Sequence, residues 1–116
     1  MPAEFLDIAM TPDVMAVQHE MGSDELWQSP HRQRRGERFG ASEEAMIATR
    51  DSFYLATLSQ TGWPYIQHRG GPVGFLHLLD ETTLAMADFS GNRQYITTGN
   101  LRGSDRACLF LMDYPR

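Results

Sequence analysis

The chain of 116 residues carries fifteen acids and ten basic residues, every one an arginine, for a formal net charge of −5. That length supports one small domain with one modest core. No apolar run approaches the roughly 18 residues of a membrane helix, and the first ten positions hold acids in place of a basic leader, which predicts a soluble cytoplasmic protein.

The absence of lysine excludes Schiff-base chemistry and the phosphate-loop lysine, so any anion site must rely on arginine. A single cysteine, Cys108, excludes an internal disulfide framework and a Cys-rich zinc site. It stands in the apolar run Ala-Cys-Leu-Phe-Leu-Met and reads as a small buried hydrophobe.

In chain order, Thr11-Pro12-Asp13 has the form of a helix start, with a capping threonine, proline at the first helical position and an early acid. Val14, Val17 and Met21 recur on one face and Gly22 marks the stop. Residues 1–31 hold six acids and no arginine, and Arg32, Arg34, Arg35 and Arg38 then follow closely. With Gly36 and Gly40 around it, this cluster reads as an exposed connector. An acidic chain without aromatics in the cluster argues against a nucleic-acid partner. Ser42-Glu43-Glu44 opens a second short helix running toward Arg50.

From Phe53 the period changes to that of strands. Phe53–Ser59 and Trp63–Gln67 form a hairpin across Gln60-Thr61-Gly62, and Arg69-Gly70-Gly71-Pro72 breaks the pattern. Val73–Leu79 and Thr83–Ala87 pair across Asp80-Glu81-Thr82. Gly91-Asn92-Arg93-Gln94 starts a short helix reaching Leu101, and Arg106–Tyr114 is a last strand. Five antiparallel strands in a meander, with one inserted helix, indicate a mainly β (α+β) sandwich or small barrel. Residues 1–52 read as N-terminal helices with an Arg-rich connector and residues 53–116 as the core, one domain overall. The last strand leaves an apolar edge, to be covered by a partner subunit or by a longer chain, the barrel being incomplete at its C-terminal end.

Two segments have the makings of a ligand site. In Gln67-His68-Arg69-Gly70-Gly71-Pro72, an arginine stands beside two glycines that let a ligand approach the backbone. In Asp88-Phe89-Ser90-Gly91-Asn92-Arg93-Gln94, a small polar turn feeds a helix N-terminus with Arg93 in its first turn, a natural phosphate cradle. The hairpin at 73–87 would return the chain to the same neighbourhood. His19, His31 and His77 are dispersed and predict no metal site. Trp63 and Tyr65 read as core or as ring-stacking residues.

These stretches, with Ala56-Thr57-Leu58-Ser59, Gly62-Trp63-Pro64-Tyr65 and Gly99-Asn100, resemble the pyridoxamine 5′-phosphate oxidase-like flavin-binding family. The resemblance covers roughly Phe53 to Arg116. It implies an antiparallel split β-barrel with short flanking helices and FMN held between the subunits of a homodimer. It further implies that Gln67, His68, Arg69 and Gly70 line the ring and ribityl side, and that Asn92, Arg93 and Gln94 hold the phosphate with Ala87 and Asp88 alongside. The oxidases proper carry a lysine where Gln94 stands here, and the family continues past the end of this chain.

The implied function is a flavin-dependent, two-electron oxidoreductase acting on a small-molecule substrate, with His68 as the candidate proton donor or acceptor. Two other readings stay open. One is a non-catalytic flavin- or haem-binding module, and FMN, a deazaflavin and haem are not separated by the residues. The other is an interaction domain whose Arg32–Arg38 loop meets an acidic partner.

Overall fold

The computed structural model describes residues 5–28, 38–87 and 93–114. They form two compact units, residues 1–38 and 39–116.

In the first unit, α1 (Phe5–Ala9), α2 (Pro12–Glu20) and α3 (Asp24–Gln28) follow one another with short connections. The start of α2 is as the sequence predicts: Thr11 is extended and its hydroxyl accepts from the Val14 amide at 3.3 Å. The two five-residue helices were not expected, being too short to carry a periodic signal. The α2 face of Val14, Val17 and Met21 is exposed. Polar side chains tie α2 to its neighbours instead. Gln28 Nε2 donates to the Met15 carbonyl at 3.3 Å and to Gln18 Oε1 at 3.0 Å. His19 Nδ1 lies 2.8 Å from Asp24 Oδ2, and this hydrogen bond holds the Asp24 carboxyl below its usual range.

The second unit is α+β, with two antiparallel sheets and short helices. Its elements are α4 (Ala41–Ala48), β1 (Ser52–Leu58), β2 (Pro64–Gly70), β3 (Leu76–Asp80), β4 (Thr83–Met86), α5 (Ile96–Gly103) and β5 (Ala107–Phe110). One sheet has the order β2-β1-β5 and the other is the β3-β4 hairpin. The five expected strands are present, but β5 pairs with β1 rather than continuing a meander, and the described strands do not close into a barrel. The reason lies in α5, which carries the chain back across β1 before β5 begins.

Strand alternation builds the core. Phe53, Leu55 and Thr57 are buried on one face of β1, where Phe53 and Leu55 meet Ile47 of α4, Phe75 and Leu76. Phe53 is only 1 % exposed and its ring stacks on Phe75 with centroids 5.6 Å apart. Because Ile47 and the half-buried Phe39 join this cluster, α4 belongs with the strands.

Several boundaries differ from expectation. Helix α4 starts at Ala41, with Gly40 at its cap and no side-chain bond there, so Ser42 lies inside the helix. β2 runs on to Gly70, because its pairing with β1 continues through Phe53↔Arg69 and Ser52↔Gly70. Val73 and Gly74 lie in a turn before β3, with Gly74 at φ +79° and its amide donating to the Arg50 carbonyl at 3.0 Å. The last strand is short, and Cys108 is exposed, correcting its expected burial. Cys108 pairs with Ala56, on the face turned away from the core, and every residue of β5 is exposed.

Gly71 is fixed by packing. A Cβ there would lie 2.8 Å from Cγ of Phe75, a buried ring already stacked on Phe53. Gly71→Ala should therefore cost about 1–3 kcal/mol through overpacking, read as a lowered denaturation midpoint. An unchanged midpoint would show that the ring moves freely.

Candidate functional site

The alternation of β2 sorts the four residues expected to line one side of a ligand. Gln67 pairs with Leu55 and Arg69 with Phe53, so both are on the core-side face and both are half-buried. His68 and Gly70 are on the opposite, exposed face. There the His68 ring meets Tyr54 edge-on at 5.5 Å, and the Tyr54 hydroxyl lies 3.1 Å from that of Tyr114. This hydrogen bond pushes the Tyr114 phenol above its usual range. His68 thus does not join Gln67 and Arg69 on one surface of this chain.

The glycine pair serves packing more than ligand approach. The space beside Gly71 is taken by Phe75, and its amide donates to the Asp51 carbonyl at 3.0 Å. At Gly70 a Cβ would meet the His68 ring at an ordinary 3.4 Å.

The second expected segment is partly described. Asp88 and Asn92 lie outside the described residues, while Ala87, Arg93 and Gln94 are exposed. The helix starts at Ile96, so Arg93 precedes it and is not in its first turn, correcting the expected cradle. The delay has a backbone cause: Arg93 and Tyr95 are left-handed, at φ 64° and 57°, which a continuous helix from Gly91 does not permit.

The helix that follows the second segment meets β1 and β2 through contacts not foreseen from the sequence. Thr97, in the first turn of α5, donates its hydroxyl to Gln67 Oε1 at 2.7 Å. Three residues on, Asn100 Nδ2 donates to Thr57 Oγ1 at 3.0 Å. Positions 97 and 100 share one helix face, so α5 is keyed to β1 and β2 by a pair of polar bonds. The spacing of Thr97 and Asn100 was the available signal, but their partners are 30 and 43 residues away.

A cleft of about 440 Å³ lies against α5, lined by Tyr95, Thr98, Gly99 and Arg102. A smaller one of about 170 Å³ lies among Leu55, Leu76, Leu84, Met86 and Leu109 and is lined by apolar side chains. Among the described residues no three His, Cys, Asp or Glu side chains gather as a metal site. No described helix is long and apolar enough to cross a membrane. Comparison with models of known families, with curated proteins and with solved structures finds no match to this chain.

Proposed function

We propose that the chain binds FMN beside β2 and the turn before α5, within a split-barrel architecture, and uses it for two-electron redox on a small substrate. The observation that supports this reading is the Thr97–Gln67 bond, which ties the first of the resembling segments to the helix that follows the second. The residues suit the group. Gln67 and Arg69 share a strand face, giving a carboxamide and a fixed cation for a carbonyl-bearing ring. β2 is also at the edge of its sheet, so one row of its backbone N–H and C=O groups is not paired within the described sheet. Arg93 and Gln94, just before α5, supply a cation and an amide for the phosphate.

Bound flavin would supply the electron chemistry. The chain's part is to orient the ring through Gln67, to hold negative charge near Arg69 and to anchor the phosphate through Arg93. We include a homodimer in the proposal. The sheet face opposite the core carries Leu58, Ile66 and Phe110 at 41 %, 64 % and 58 % exposure, an apolar surface suited to a second copy. Sedimentation at micromolar concentration should then give twice the chain mass, and a monomer would count against this part.

The deciding measurement is a visible spectrum of the purified chain after adding FMN and desalting. Stoichiometric retained flavin is the expected outcome, and retention without turnover on any donor would indicate a non-catalytic module. Arg93→Ala should weaken FMN binding by about 1.5–3 kcal/mol, the scale of a charge-assisted hydrogen bond. An unchanged titration curve would remove Arg93 from the phosphate site.

A further inference from the structure

Thr97 is 3 % exposed, and the one partner of its hydroxyl among the described residues is Gln67 Oε1. A buried hydroxyl hydrogen needs an acceptor. Were the Gln67 amide turned over, Nε2 would donate to Thr97, and the hydroxyl hydrogen would lose the acceptor it has here. The observed sense, hydroxyl to Oε1, satisfies both groups. Thr97 is also held from swinging away, because Asn100 on the same helix face bonds to Thr57, itself 5 % exposed.

We infer that Thr97 is a positioning residue that locks the Gln67 carboxamide with its oxygen turned toward α5, so that Gln67 offers a ligand only N–H donors. A free glutamine can present either its oxygen or its nitrogen and so accepts either kind of ligand group. A locked one selects. Arg69, two residues along on the same face, is likewise a group that never accepts. The surface therefore takes an acceptor oxygen or nitrogen on its ligand and rejects an N–H in the same place. Naming that acceptor as a carbonyl on the pyrimidine edge of a flavin rests on the proposed function; the lock itself does not.

The test uses the full chain with Thr97→Val, which keeps the shape and removes the hydroxyl, Thr97→Ser, which restores it, and Gln67→Glu. The first readout is the side-chain amide signal of Gln67 in a nitrogen–proton correlation spectrum, taken without ligand. In Thr97→Val it should move toward the position of a free glutamine while backbone signals of β1 and β3 stay in place, and Thr97→Ser should bring it back. The second readout is FMN affinity by fluorescence titration. Thr97→Val should bind about tenfold more weakly, the scale of one lost hydrogen-bond alignment. Gln67→Glu keeps the acceptor for Thr97 but turns an anionic oxygen toward the ligand, and should bind about 100-fold more weakly.

A Gln67 side-chain signal unmoved by Thr97→Val would overturn the lock, and Gln67→Glu binding FMN as tightly as the parent would overturn the donor-only surface. If the parent chain fails to bind FMN while the Gln67 signal responds to Thr97→Val, the lock stands and the flavin reading falls.

Discussion

Phe53→Ala is expected to destabilise the second unit by about 3–5 kcal/mol, the range for removing a buried aromatic ring and leaving a cavity. Phe53 is the most completely enclosed large side chain described, at 1 % exposure. The five-residue buried cluster it belongs to has little redundancy. Its ring stacks on Phe75, and Phe75 in turn fills the space beside Gly71, so removing the ring loosens both the β1 face and the corner between β2 and β3. Domains of this size have only about 5–15 kcal/mol of stability, so the variant should unfold at far lower denaturant. Phe53→Leu, which keeps most of the volume, should lose about 1–2 kcal/mol. Equal losses for the two variants would mean that the core collapses around the gap and that stability is set elsewhere.

The same core shows what the sequence discloses and what it withholds. The β1–β2 hairpin is legible because aromatic and β-branched residues alternate across Phe53–Ser59 and a glycine turn separates the two runs. Those are local properties, and local properties also give the start of α2 at Thr11 and Pro12. The end of β2 is not local: Arg69 and Gly70 stay in the strand only because Phe53 and Ser52 are there to pair with them. Cys108 fails for a related reason. An apolar run suggests burial, yet β5 is an edge strand of the described sheet and all four of its residues are exposed, on both faces alike.

The candidate site is legible as two segments and not as a geometry. Strand alternation separates His68 from Gln67 and Arg69 only once the strand is known to run through Gly70, and the register with β1 then decides which face is turned to the core. Likewise, a polar turn before a helix resembles a phosphate cradle until the left-handed Arg93 and Tyr95 postpone the helix to Ile96. Thr97 is an unremarked residue in a run of polar ones, and its importance comes wholly from Gln67, 30 residues earlier.

Arg50 is the largest omission of this kind, and Arg50→Met should cost about 2–4 kcal/mol, with the loss concentrated in the C-terminal segment. In sequence it is an arginine at the end of a short helix, where such residues commonly meet solvent. In the fold it is 8 % exposed, because its partners arrive from 62 and 63 residues away. The guanidinium donates to the Met46 carbonyl at 3.2 Å, the Met112 carbonyl at 2.6 Å, Asp113 Oδ1 at 3.1 Å and the Thr49 hydroxyl at 3.1 Å. These are directional demands on a planar fork that lysine does not meet, so Arg50→Lys should recover little of the loss. Asp113 is 70 % exposed on its side chain, and Asp113→Ala should cost no more than about 1 kcal/mol, since an exposed ion pair is screened by water. The ratio of the two losses separates a carbonyl clamp from a salt bridge: comparable losses would assign the stability to the ion pair. A second signal locates the effect. Residues 112 and 113 lead into Tyr114, whose phenol is held above its usual range by Tyr54, so releasing the segment in Arg50→Met should lower the Tyr114 titration toward the ordinary value in an ultraviolet titration. A Tyr114 phenol that titrates as in the parent would show that the segment stays docked without Arg50.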